Sequence, residues 1–230
     1  MPRVPRSLIV FNNHSVHKVW RGHNKEYNIK TDYEKGKYLE FLNDDIDNPD
    51  TEVGAELQAI TIMSNHTHEV YLVKSQPDFS NHMRRHHGRY GMFFNKLKGR
   101  CGKVAQGRAK TCLLQQENYE MKTVFYIHAN PIRAHMVKDA KDYKWSTHNL
   151  YAFGKRQDWM KNIKLPAWYH RLGKTLQARQ KKYRKLFANY LKTKGRVKQP
   201  FLKKYFYGDV VWMDEKSDDV SKWRASQAPP

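Results

Sequence analysis

The chain has 230 residues and 27.4 kDa, with 43 Lys+Arg against 22 Asp+Glu, a formal charge of +21 and a pI near 9.9. That length supports one sizeable core with sequence to spare, and that charge points to a polyanion, nucleic acid before an anionic membrane surface. No apolar run approaches the ~18 residues of a spanning helix, no apolar leader opens the chain, and two cysteines, Cys101 and Cys112, build neither a disulfide framework nor a four-cysteine zinc module; a cytoplasmic protein that is not embedded in a membrane is expected.

In chain order, residues 7–20 read as a strand, or as two broken at Asn12-Asn13. Thr31 or Asp32 caps a helix that carries Tyr38, Leu39, Phe41 and Leu42 to about Asp45, and Asn48-Pro49-Asp50 turns the chain. Residues 53–63 and 66–74 read as antiparallel strands joined at Ser64-Asn65. A helix follows from Asp78, as its N-cap, to Lys98, and Gly99 and Gly102 end it. Residues 103–115 read as a strand, 117–135 as a strong helix, 145–153 as a short helical segment and 175–193 as a long basic helix. The order β-α-β-β-α-β-α is an α+β plan, the ferredoxin-like split βαβ. It has an antiparallel sheet with helices on one face and the other face open to a ligand. The tail after Lys194 shows no periodicity, and its Ser-Gln-Ala-Pro-Pro end reads as disordered.

Charge divides the chain. Residues 1–75 carry net −2 and residues 76–230 net +23, and the stretch 171–204 holds 13 basic residues and no acid. The first third reads as scaffold and the remainder as the side that meets the polyanion.

Two constellations carry candidate chemistry. His66 and His68 lie two apart on a strand, so their rings share a face, and paired imidazoles are a half-site for a divalent metal. Alone, such a pair is more often two ordinary surface histidines. Tyr126 and Asn130 lie four apart on a helix and project together, with Lys122 one turn earlier, placed to lower the phenol pKa or hold a phosphate. Pro131 removes a backbone donor and disfavours helical geometry at Asn130, so a kink there would re-aim the amide. The bland alternative is a boundary tyrosine and an asparagine that ends its helix.

Met63-Ser-Asn-His66-Thr-His68 before a strand resembles the histidine–hydrophobic–histidine (HUH) motif of single-tyrosine transposases, with Thr67 in place of the hydrophobic residue. Tyr126-Ile-His-Ala-Asn130-Pro131-Ile-Arg-Ala, followed by Asp142-Tyr-Lys-Trp-Ser146, resembles the second signature of the REP-associated tyrosine transposases, and Trp20-Arg-Gly-His-Asn24-Lys-Glu looks like their N-terminal strand end. The resemblance covers about residues 7–153, giving a transposase domain over 1–153 and a basic extension with a long helix over 154–230. It implies an enzyme that cuts and rejoins single-stranded DNA at hairpins through a 5′-phosphotyrosine link. Tyr126 is the implied nucleophile, and His66, His68 and Asn130 the implied ligands of Mg²⁺ or Mn²⁺. Thr67 and Glu69 fall on the opposite sheet face and receive no catalytic role. The implied partner is single-stranded or hairpin DNA, bound by a monomer or a homodimer.

The DNA grip is expected from Arg84, Arg85, His86, His87, Arg89 and Lys96 on one helix, and from Arg100, Lys103, Arg108 and Lys110 about the next strand. Lys122 and Arg133 on the tyrosine helix, and Lys181, Lys182, Arg184 and Lys185 on the last helix, complete it. Tyr183, Phe187 and Tyr190, interleaved with the last group, read as core contacts before base-stacking platforms. His23 and Asn24 are either partners of the site or a strand-end turn. The alternative to a transposase is a non-catalytic nucleic-acid-binding protein on the same scaffold.

Overall fold

A computed structural model describes residues 3–194 and 204–227. The expected order is present: β1 His14–Arg21, α1 Asp32–Asp47, β2 Ala55–Ile62, β3 His66–Val73, α2 Gln76–Leu97, β4 Lys110–Leu114 and α3 Asn118–Arg133. Four helices and a short strand follow: α4 His148–Phe153, α5 Ala167–His170, α6 Leu176–Lys194, β5 Phe206–Tyr207 and α7 Val210–Ser226. The sheet order is β2-β3-β1-β4-β5, antiparallel except where β5 joins β4. Thr31 and Glu34 close a reciprocal capping box that starts α1.

Strand alternation gives the sheet two different faces. On one, Val16, Lys18 and Trp20 of β1 and Glu69 and Tyr71 of β3 meet α1 and α2; Trp20 packs on Tyr38, His87 and Tyr90. On the other, Ala59, Val70, Cys112 and Leu114 form a second cluster with Phe125, Tyr126 and Ile127 of α3 and Tyr183, Phe187 and Tyr190 of α6. The second face, expected to be open, is therefore covered by the tyrosine helix and the C-terminal helices. Among the described residues a cleft opens at the end where Arg21, His66 and Lys110 stand. The aromatics of α6 are core residues that stack around Phe125, so residues beyond 153 share the core of those before it.

Four local expectations are corrected. Residues 7–11 are not a strand: Arg6–Leu8 is a 3-10 turn whose Arg6 carbonyl accepts from both Ile9 and Val10, and Val4, Ile9 and Val10 are buried as an arm. The stretch before Lys110 adds only an isolated bridge, Gly22 to Ala105. Ser75, not Asp78, is the N-cap of α2, and the Ser75 hydroxyl bonds Asp78 within the first turn. The chain after Lys194 is not featureless. Asp209 caps α7 through the Trp212 amide, and α7 escapes pattern reading because Val210 and Val211 are 67% and 70% exposed while Val220 is buried. Residues 195–203 and 228–230, where the rest of the tail expectation falls, lie outside the described residues.

Candidate active site

His66 and His68 stand at the start of β3, opposite Arg21 and Val19 of β1. His68 is buried and His66 half-buried. Each ring is held at Nδ1. His66 Nδ1 lies 2.6 Å from the Asn65 Oδ1, and His68 Nδ1 lies 2.9 Å from Nε2 of His17, with the His17 and His68 rings nearly coplanar, edge to edge, and their centroids 5.1 Å apart. The two candidate ligands are themselves 4.8 Å apart, ring to ring. Burial, with the charge of Arg21, lowers the His66 pKa to about 3; burial takes His68 well below its usual range and His17 to about 3. All three imidazoles are neutral at neutral pH, and neutral imidazole is the form that binds metal.

α3 crosses this end of the sheet. The Tyr126 ring meets His68 edge-on at 5.7 Å and His17 at 6.2 Å, and is only 4% exposed. Arg133, two turns on, lies 4.1 Å over that ring, donates to the Tyr126 carbonyl at 2.8 Å and also to the Asn130 Oδ1. Burial raises the phenol pKa and the Arg133 cation opposes it. The sequence assigned that electrostatic place to Lys122; the structure gives it to Arg133, and Lys122 sits 4.6 Å over the Tyr119 ring instead. The helix continues through Pro131 to Arg133, so the proline does not end it.

These groups line a cleft of about 2270 Å³ whose rim carries Arg3, Arg21, Arg108, Lys110, Lys138 and Lys204. Asp142 is the one acidic residue of the lining among those described.

The donor set can be tested against a divalent ion. Among the described residues no cluster of three His, Cys, Asp or Glu is placed to hold a metal. What is present is two imidazoles with Nε2 left over and the Asn130 Oδ1; the buried Asn130 Nδ2, which has no hydrogen-bond partner among the described residues, is a donor suited to an acceptor such as a phosphate oxygen and is not a metal ligand. That set fits an ion held by few protein groups and completed by oxygen ligands, the usual state of Mg²⁺ or Mn²⁺ at a phosphate. The Asn130 Oδ1 already accepts from Arg133, so one of its two lone pairs remains.

Of the residues expected to grip DNA, Arg108, Lys110 and Arg133 reach the cleft. The α2 set does not, because α2 packs on the other face of the sheet. Arg85 and Arg89 are paired with Asp45, and Arg89 with Asp44 as well; His86 is buried against Tyr38 and His87 half-buried against Trp20; Arg84 and Lys96 are exposed. Arg100 pairs with Glu26, away from the cleft lining. On α6, Lys181, Lys182 and Lys185 are exposed, while Arg184 donates to the Ala152 carbonyl and lies over Phe153. His23 and Asn24 form an exposed 3-10 turn. His17 and Arg21 were missed. Alternation from Val19, which faces His68, would have found both, had the register of β1 against β3 been known.

No family model and no curated protein matches the chain. A solved structure of a REP-associated tyrosine transposase bound to a REP hairpin matches with a TM-score of 0.52 and 19% sequence identity, over 73% of this chain and 96% of that one. No helix among the described residues is long and apolar enough to cross a membrane. At that identity the likeness is one of fold, and it agrees with the resemblance carried by the two motifs: the chain has the fold of a REP-associated tyrosine transposase.

Proposed function

We propose that this chain cleaves and rejoins single-stranded DNA beside a hairpin, with Tyr126 as nucleophile. One observation carries the reading. His66 and His68 on β3 and Tyr126, Asn130 and Arg133 on α3, some sixty residues apart in sequence, meet within one chain at the basic end of the sheet. The solved protein of like fold is bound to a hairpin, which favours the same class of partner here.

In the proposed step the Tyr126 oxygen forms a bond to the scissile phosphorus as the bond from phosphorus to the 3′-oxygen breaks. The phenol loses its proton and the departing 3′-oxygen gains one, so cleavage is proton-neutral overall. The reverse step rejoins a strand from the conserved phosphodiester energy. Arg133 meets the negative charge that develops on the phenolic oxygen and phosphate, which matters because burial holds Tyr126 protonated at rest. Such chemistry asks for charge neutralisation and aim more than for a strong base. A Mg²⁺ or Mn²⁺ ion held by His66, His68 and Asn130 would supply Lewis-acid polarisation of that phosphate. Arg108 and Lys110 on the cleft rim are placed to hold flanking phosphates.

The test is incubation of the protein with labelled single-stranded hairpins from around its own gene, with and without Mg²⁺ or Mn²⁺. A metal-dependent covalent protein–DNA adduct is expected. Tight hairpin binding with no adduct under any divalent ion would leave a binding protein on a transposase scaffold.

A further inference from the structure

His17 is a buried imidazole that the proposed chemistry does not use. It comes from β1, diagonal to His68: the register pairs His17 with Val70 and Val19 with His68. Its Nε2 lies 2.9 Å from His68 Nδ1, and the two rings are within 13° of parallel. Two neutral imidazoles can share one proton at that contact in two ways. If His17 donates, the His68 proton sits on Nε2, and the nitrogen that remains for a metal is blocked. If His68 donates from Nδ1, its Nε2 carries a bare lone pair.

The neighbouring histidine shows which arrangement the site is built for. His66 Nδ1 faces the carbonyl oxygen of the Asn65 side chain at 2.6 Å, and that oxygen only accepts. His66 therefore carries its proton on Nδ1 and leaves Nε2 bare. We infer that His17 is a positioning residue that does the same for His68, accepting its Nδ1 proton and so fixing both the tautomer and the ring plane. The inference rests on reading His66 and His68 as a divalent-metal pair.

The choice of acceptor has a physical sense. Metal-bound histidines commonly donate their second nitrogen to a carboxylate or a carbonyl. A carboxylate at position 17 would put a negative charge beneath a site proposed to receive a phosphodiester. A neutral imidazole accepts the same proton without that repulsion, and because the hydrogen bond lies nearly in the plane of both rings it also limits rotation of His68.

The test uses the full chain labelled with ¹⁵N-histidine and free of metal, read by long-range proton–nitrogen correlation at neutral pH. His68 is expected with its proton on Nδ1. A wild-type His68 protonated on Nε2 overturns the inference, and this measurement needs neither activity nor a variant. Mn²⁺ alone is then titrated. His17→Phe keeps the ring and removes the acceptor, and should weaken Mn²⁺ binding by about 10- to 100-fold. His17→Gln can place its carbonyl oxygen near the lost Nε2 and should stay within about threefold of wild type, if the hydrogen bond is the cause. Equal loss in both variants, or wild-type affinity in His17→Phe, overturns the positioning role. Mn²⁺ binding that is the same in wild type and His66→Ala instead overturns the metal reading, while the tautomer measurement still stands or falls by itself.

Discussion

The two faces of β3 solve opposite problems with the same kind of residue. On the helix-packed face, Glu69 accepts from Lys18, Tyr38, Thr67 and Tyr71 at 2.6–2.8 Å, with the Lys18 and Glu69 side chains both 0% exposed. Both oxygens of the Glu69 carboxylate have donors, so its accepting capacity is met. One residue along, on the cleft face, His66 and His68 use one nitrogen each and keep the other, and the Asn130 amide has a buried hydrogen-bonding group to spare. The Glu69 cluster serves the fold, whereas the two histidines and Asn130 stand at the cleft, where their spare groups can meet a ligand; spare buried nitrogens on His86 and His87 lie behind the other face, away from that cleft. Thr67 belongs to the Glu69 cluster. Where the resemblance expects a hydrophobic residue, it supplies one of the four donors to Glu69.

The sharpest way to break this contrast is Tyr126→Phe. It removes only the hydroxyl and leaves the ring beneath Arg133. Adduct formation should fall below detection while hairpin affinity stays within a few-fold and stability within about 1 kcal/mol. Gel analysis of the covalent product and urea denaturation check both halves. Persistent adduct in this variant would remove Tyr126 from the chemistry.

Lys18→Met probes the closed face. It strands the Glu69 carboxylate in a dry core, so a loss of about 3–5 kcal/mol is expected in urea denaturation. His66→Ala, on the open face of the same strand, should cost about 1 kcal/mol or less. Comparable losses would mean that the two faces do not divide stability from chemistry.

Acid sharpens the contrast further. Burial alone would raise the Glu69 pKa, but the charge of Lys18 and the hydrogen bonds from Lys18 and Tyr71 carry it down to about 2 from 4.5. The stability this contributes is present above about pH 4.5 and lost as pH falls toward 2. His86, under Tyr38, is lowered from 6.5 to about 3, first by burial and then by Lys18. Below pH 6.5 the unfolded chain therefore takes up a proton that the folded His86 refuses. His86→Gln cannot titrate and can still donate to the Tyr38 carbonyl, as His86 Nε2 does at 3.0 Å. Its stability should fall less steeply between about pH 6 and 3, by about 1.4 kcal/mol per pH unit. An unchanged slope would mean that His86 titrates alike folded and unfolded.

Much of this was legible in sequence. The order of the first seven elements followed from period-2 and helical spacing and from the cap expected at Thr31 or Asp32, and Tyr126, His66, His68 and Asn130 stood out by motif. What was not legible depended on register and on which end of a helix meets the sheet. A lone histidine in an apolar strand, His17, looks like core until its cross-strand neighbour is known. Lys122 and Arg133, four before and seven after Tyr126, share its helix face equally. Only the docking of α3 puts Arg133 over the phenol and Lys122 over Tyr119. The two-residue β5 is too short to leave a periodic signal.

The cations give the finest comparison, because sequence alone ranked them together. Arg108 and Lys110 line the cleft, whereas Arg85 and Arg89 are spent on Asp44 and Asp45 behind the other face. A cation that holds a DNA phosphate replaces a counterion, so removing it flattens the log–log dependence of affinity on salt, by about 0.7 for each lost single-strand contact. A cation already paired with a carboxylate displaces no counterion when DNA arrives. Lys110→Gln and Arg108→Gln should therefore each reduce the salt slope by about 0.7 in hairpin binding. Arg89→Gln should leave the slope unchanged and instead cost stability, since Asp45 is buried and loses a donor at 2.9 Å. If the α2 variant flattens the salt slope as much as the cleft variants do, DNA runs across the helix face and the cleft is not the principal path of the strand.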